Sequence, residues 1–202
     1  MGHPHAKKHN QVRIIGGRFR GRRITFLDLP GLRPTPDRIR ETLFNWLTPI
    51  IPDAYCLDLF SGSGALGMEA LSRGAKHVTF VDSNSNVVGQ IKKQLILLQV
   101  ENSAEVLFTT LPAVIPPPKK AYNIVFLDPP FHQSMIAKIS HWLEQQPWLA
   151  DVVYIYIETE TNLWPLPIPL TWEILKHKKA GNVSYHLLRR TKLNENYGLI
   201  SN

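Results

Sequence analysis

The chain has 202 residues, 44% of them hydrophobic, which supports one domain with a sizeable core and argues against general disorder. It contains no run of about 18 apolar residues, so no segment reads as a membrane-spanning helix. A formal charge of +7 points to an anionic partner, and the single cysteine, Cys56, forms no internal disulfide.

Residues 1–9 lack the apolar centre of a secretory signal, so a cytoplasmic location is expected. The positive charge is concentrated at this end. Residues 1–40 hold ten Lys/Arg against Asp28 and Asp37, a net +8; the other 162 residues hold thirteen Lys/Arg against fourteen Asp/Glu, a net −1. Val12–Ile24 alternates around Gly16-Gly17 as a β-hairpin would. Arg13, Arg18, Arg20, Arg22 and Arg23, interleaved with Phe19, suit phosphate contacts and stacking on RNA. The alternative for such a basic run is a solvated tail. The hairpin shows little apolar surface of its own, so the rest of the chain is expected to fold without it.

A helix is expected after Arg33. Thr35 is its N-cap candidate, Pro36 fits the first position, and Asp37 complements the dipole. Ile39, Leu43 and Leu47 form the core stripe, which leaves Arg38 and Arg40 to face solvent or substrate.

Cys56–Ala70 then reads as a strand, a glycine-rich turn and a helix start, with Cys56 a small core residue. Gly62, Gly64 and Gly67 satisfy G-x-G-x-x-G, in itself a weak dinucleotide signal. Asp58, four residues before Gly62, would repel a pyrophosphate and attract an ammonium and a sulfonium, the charges of S-adenosylmethionine. The next strand, 77–81, ends at Asp82, placed to take both hydroxyls of an adenosine ribose. NAD, with its phosphates at the helix start near Ala65, remains an alternative at this point.

Further strands are expected at 105–108, 122–127 and 152–157. The helix after Asn84 turns Val87, Val88, Ile91, Leu95 and Leu98 to the core. Trp172–Arg190, broken at Gly181-Asn182, reads as a closing antiparallel hairpin. The alternation implies a mostly parallel, seven-stranded Rossmann-like α/β sheet. The eight scattered histidines show no ligand spacing, so no metal is expected.

The strand at 122–127 runs into Asp128-Pro129-Pro130-Phe131. Proline removes backbone donors and fixes φ, so the carbonyls of Asp128 and Pro129 are held rigid and free to accept hydrogen bonds from a planar –NH2. Phe131 offers a face to the ring that carries the amine. Acceptors on both of its hydrogens favour pyramidal geometry and restore a lone pair that conjugation had withdrawn. Asp58, the glycines, Asp82 and this tetrapeptide, in that order, point to an amino-methyltransferase. The bland alternative is a proline-stopped loop in which Asp128 caps a turn.

From Arg13 to Arg190 the chain resembles the bacterial 16S ribosomal RNA guanine-N2 methyltransferases of the RsmD type. The likeness rests on Arg13-Ile-Ile-Gly-Gly17, Leu32-Arg-Pro-Thr35, Asp37-Arg38, Arg40–Asn45, Leu57-Asp58, Ser61–Gly67, Glu69-Ala-Leu71 and Asp128–Phe131. It implies a class I methyltransferase acting on the G966-type guanine of 16S rRNA, with the assembled small subunit as substrate; a monomer is expected. By the same resemblance, S-adenosylmethionine would be held by Thr35, Asp58, Phe60, Ser61, Gly62, Ser63, Gly64, Asp82, Ser83, Thr110 and Asp128. Asp128, Pro129, Pro130 and Phe131 would hold the guanine, and Arg13, Arg18, Arg20, Arg22, Arg23, Arg33, Arg38 and Arg40 the RNA. The chain has Thr109-Thr110-Leu111 where many such enzymes carry Asp or Asn near the adenine. The expected domains are a basic RNA-binding extension at 1–30, a methyltransferase domain at 31–190 and a frayed tail at 191–202. A DNA adenine-N6 or protein-glutamine methyltransferase, and a non-catalytic ribosome-assembly factor, remain rivals.

Overall fold

A computed structural model of the chain describes residues 10–30, 32–130 and 135–192. Its centre is a seven-stranded sheet in the order β5-β4-β3-β6-β7-β9-β8. The parallel strands are β3 (Tyr55–Asp58), β4 (His77–Asp82), β5 (Ala104–Phe108), β6 (Tyr122–Leu127) and β7 (Leu149–Glu160). β8 (Trp172–Ala180) and β9 (Val183–Thr191) add the antiparallel hairpin read from the sequence. The near-continuous apolar run of β6 is what a strand covered on both faces requires. Accordingly Ile124 and Phe126 join one core cluster, while Val125 and Leu127 join the other. β7 is the largest departure in length, since it begins at Leu149 and runs on through Glu160.

The helices α1 (Asp37–Leu47), α2 (Ala65–Ser72), α3 (Ser85–Leu98) and α4 (Met135–Glu144) cover the sheet. α3 turns the expected residues inward, and Asn84 caps it, its side-chain oxygen accepting from Asn86 N–H at 3.0 Å. α1 starts where expected, but Thr35 does not cap it: Pro36 holds the cap position and makes no side-chain cap bond. No helix among the described residues is long and apolar enough to cross a membrane.

The N-terminal hairpin is present, β1 (Asn10–Arg13) pairing antiparallel with β2 (Arg23–Phe26). Its expected independence is corrected. Val12, Ile14, Phe19, Ile24 and Phe26 are buried in one cluster with α1, α2, α3 and a face of the sheet. Phe19 is therefore a core anchor with Arg18 lying over its ring at 4.3 Å, and not a platform for an RNA base. Polar contacts complete the attachment. Glu69 on α2 accepts the N–H groups of Ile15 and Gly16, each at 2.8 Å, and Phe19 N–H donates to Ser72 Oγ at 2.9 Å. Gly17 has φ +74°, and a Cβ there would collide with the Ser72 carbonyl. Lys7 and Lys8, Phe131 and most of the expected tail lie outside the described residues.

Candidate active site

The carboxyl ends of β3, β4 and β6 bring Asp58, Asp82 and Asp128 to one rim of the sheet, because the strands run parallel in adjacent register. Asp58 is buried and its Oδ2 accepts Gly67 N–H at 3.2 Å. Burial raises its carboxyl to about 7; the Gly67 bond opposes the shift and the negative Asp82 adds to it. A carboxyl in that state is stabilised as an anion by a cation placed against it.

The turn between Asp58 and α2 is held open by its backbone. Gly62 and Gly64 sit at φ +49° and +73°, and Gly64 is the residue that enters the helix. Gly67 serves packing instead, since a Cβ there would collide with Phe80 of β4. Ser61 ties the turn to β4 by accepting Val81 N–H at 2.9 Å while its hydroxyl donates to the Asp58 carbonyl at 2.9 Å. Asp82 accepts Gly62 N–H on one oxygen at 2.9 Å and Asn84 N–H on the other at 2.8 Å. Each carboxylate oxygen has a second lone pair, so two hydroxyls remain compatible with these bonds. Ser63 is buried and its hydroxyl accepts Ala65 N–H at 3.3 Å; Phe60 is half-buried, and Ser83 and Thr110 are exposed.

Beside Asp82 in the β4–β5 register stands Phe108, a large apolar side chain left 63% exposed at the strand end. Sequence reasoning passed over it because an aromatic residue in a strand ordinarily reads as core. Its signal is position: it immediately precedes Thr109, in the stretch where many such enzymes carry Asp or Asn near the adenine.

Asp128 is half-buried, Pro129 buried and Pro130 exposed. Burial pushes the Asp128 carboxyl well above the usual carboxylate range, and the negative charges of Glu158 and Asp58 push it further; a hydrogen bond from Thr35 opposes them. Thr35, itself buried, therefore stands beside Asp128. Glu158, on β7, is a second buried carboxyl in this site that the sequence did not single out.

The arginines divide. Arg13, Arg18, Arg20, Arg22, Arg23, Arg33 and Arg38 are exposed. Arg13 and Arg23 line a hollow of about 350 Å³ together with Pro34, Thr35 and Asp37, so basic side chains lie along the approach to Thr35. Arg40 is corrected from a substrate contact to an internal clamp. It is 1% exposed, donating to the Thr35 carbonyl at 3.0 Å, the Arg13 carbonyl at 2.8 Å, Asp37 at 2.6 Å and Glu69 at 3.5 Å. A guanidinium with that many acceptors is neutralised in place and presents nothing to a phosphate.

A family model described as Conserved hypothetical protein 95 matches residues 12–189. The Ribosomal RNA small subunit methyltransferase D of Escherichia coli is 44% identical over 190 residues, which cover 94% of this chain and 96% of that one. The chain belongs to this methyltransferase D family. Its Haemophilus influenzae member is 46% identical over 187 residues, covering 91% of this chain and 95% of the relative. The solved structure of the yhhF protein of Escherichia coli superimposes with a TM-score of 0.83 at 43% identity, over 91% of this chain and 100% of that one.

Proposed function

We propose that the protein transfers a methyl group from S-adenosylmethionine to the exocyclic N2 amine of one guanine, the G966-type base of 16S rRNA, in the small ribosomal subunit. The observation that carries this reading is the shared rim of Asp58, Asp82 and Asp128, with the proline-locked acceptor carbonyls beginning at Asp128. The RNA class is supported by kinship with proteins named ribosomal RNA small subunit methyltransferase D.

The donor set fits the cofactor. Asp58 offers a buried negative charge for its ammonium and sulfonium end, and the Gly62–Gly64 turn lets the backbone approach closely. Asp82 is suited to the ribose hydroxyls and Phe108 to one face of the adenine, with Phe60, Ser61, Ser63, Ser83 and Thr110 around them. When bound, S-adenosylmethionine supplies an electrophilic methyl on a positively charged sulfur. Everything else is positioning, which is worth roughly 7–11 kcal/mol when reacting groups are held in near-attack geometry. Asp128 and the Pro129 carbonyl accept the two amine hydrogens and turn the nitrogen lone pair outward. Phe131 stacks on the base, a contact typically worth about 1–3 kcal/mol. A guanine paired in a helix hides its amine, so the base must be unpaired or flipped. The exposed arginines of residues 10–38 are the RNA-facing surface, and that extension works as part of the catalytic body.

The deciding experiment incubates the protein with labelled S-adenosylmethionine and small subunits from a strain lacking the modification, then maps the product nucleotide by mass spectrometry. N2-methylguanine at a single 16S position is expected. Label on adenine, on DNA or on protein glutamine would overturn the assignment.

A further inference from the structure

The antiparallel hairpin carries a surface that the reaction site does not use. β8 is the edge strand of the sheet, and Lys176, His177, Lys178 and Lys179 stand exposed along it. The acid on this strand, Glu173, is engaged by Arg189 at 2.6 Å, so the charge of the three lysines is unbalanced within the strand. In the β8–β9 register Lys176 and Lys178 lie opposite Leu187 and Tyr185, on one face of the sheet. His177 and Lys179 lie opposite His186 and Ser184, on the other.

Three flat rings are gathered on that second face. His177 stacks on His186, with centroids 4.7 Å apart and planes at 13°. Trp164, from the loop that leaves β7, lies nearly parallel to both, at 6.1 Å from His177 and 6.4 Å from His186. His186 is 1% exposed, and neither of its ring nitrogens has a hydrogen-bond partner among the described residues. An aliphatic side chain would fill that space without two unmet polar atoms. What the histidine adds is a flat ring beneath the other two. Trp164 itself is 64% exposed, a broad π face left to solvent beside the lysines.

The register places this surface relative to Asp128. Leu127 pairs with Ile157, Ile157 with His186 and His186 with His177, so the stack lies one residue short of Asp128 and three strands to its side. At about 4.8 Å per strand the separation is roughly 14 Å. The N-terminal hairpin sits on the opposite flank, bonded to α2 and α3, the helices that follow β3 and β4. Asp128 therefore lies between two basic surfaces. Lysines on an edge strand also keep it from pairing with another chain. That role accounts for the charge, but not for an exposed Trp164 with a ring stack behind it.

We propose that the β8 edge and Trp164 form a second RNA-binding surface, which takes an unpaired stretch of the rRNA that flanks the target guanine. One base stacks on the open side of Trp164, and Lys176, Lys178 and Lys179 contact phosphates. This rests on the rRNA methylation proposed above. Aromatic faces with cations beside them hold single strands with little regard to sequence. Contacts on both sides of Asp128 fix where the base enters, whereas a one-sided grip leaves the RNA free to pivot.

The test measures binding to protein-free 16S rRNA and to modification-deficient small subunits over a salt series, with cofactor titration and melting as controls. In the triple variant Lys176→Gln, Lys178→Gln, Lys179→Gln the slope of log K against log salt should become shallower by about 2–3 units. Trp164→Leu keeps an apolar cover over the histidines but has no π face, and should weaken binding about 5–150-fold, the range for losing one base stack. Trp164→Phe should stay within a few-fold of the wild type. An unchanged slope, or equal affinities for Trp164→Leu and the wild type, overturns the inference. So does a loss seen with small subunits but not with protein-free rRNA, which would make the partner a ribosomal protein. If the triple variant self-associates, Lys176→Glu, Lys178→Glu, Lys179→Glu decides, because charge of either sign guards an edge: at least tenfold weaker binding at low salt is expected, and wild-type affinity overturns the inference. Wild-type protein that binds neither RNA target would instead overturn the rRNA assignment.

Discussion

At the residue scale, two aspartates at neighbouring strand ends are asked for opposite things. In the proposed reaction Asp128 faces an amine, so Asp128→Asn, which swaps an acceptor for a donor, should slow transfer by about 10²–10³-fold, the scale of losing one preorganised polar group at a reacting centre. Cofactor affinity should hardly change, and calorimetry with S-adenosylmethionine beside single-turnover rates separates the two effects. Asp58, in the same proposal, faces a cation, and without one its buried charge is destabilising. Its folded-state carboxyl lies near 7 against an ordinary 3.8, so the folded protein binds the extra proton between those values. The stability this gives is fully present below the unfolded value and is lost as pH rises through about 7. At 1.36 kcal/mol per unit the total is on the order of 4 kcal/mol. Asp58→Asn should therefore flatten the pH dependence of urea unfolding and make the cofactor-free protein more stable above neutrality. It should also weaken cofactor binding, which in the wild type should fall off as pH drops below about 7. Stability lost together with affinity in this variant would show that Asp58 is structural.

At the scale of elements, the hairpin, α1 and α2 meet in one ion network centred on Glu69. Glu69 is 0% exposed and accepts from Ile15, Gly16, Arg73 at 2.7 Å and Arg40 at 3.5 Å. Glu69→Ala leaves Arg40 without its buried partner and two backbone donors unmet, which should cost about 3–5 kcal/mol in chemical denaturation. Deleting residues 1–23 would likewise remove Val12, Ile14 and Phe19 from the core, so a cooperative, wild-type melt in that truncation would contradict the packing. Little of this network was legible in the sequence. β3 to β6 and α3 were, because apolar runs and a 3.6-residue stripe are local signals. Arg40 was misread because Ile39, Leu43 and Leu47 looked like a complete stripe, although Arg40 and Phe44 widen it by one row. Its buried carboxylate partner, Glu69, lies 29 positions away on a helix buried on all sides, and no local pattern announces such a pair. Glu158 hid in the same way, as a polar residue in the last stretch of a long strand. Asp58 and Asp128 were legible because glycines and prolines mark the strand ends where they stand, and Asp82 because it closes an apolar strand.

At the scale of the whole molecule, charge is segregated: a net +8 on residues 1–40 faces a net −1 on the remaining 162. Such asymmetry gives the molecule an oriented field that steers an anionic surface toward its N-terminal side. Arg40 is spent internally, and Arg13 lies 3.6 Å from Asp37. Arg18, Arg20 and Arg33 are exposed, and replacing them removes no buried apolar group. The triple variant Arg18→Gln, Arg20→Gln, Arg33→Gln should therefore fold as the wild type does and bind S-adenosylmethionine unchanged, because the proposed cofactor residues around Asp58 and Asp82 are left intact. If each arginine neutralises one phosphate, the slope of log K against log salt should become shallower by about 2–3 units for binding to 16S rRNA. Affinity at low salt should fall steeply while affinity at high salt changes little. Binding measured over a salt series, with cofactor titration and thermal melting as controls, checks all three expectations together. An unchanged slope in a folded, cofactor-competent variant would move the RNA surface away from the N-terminal face.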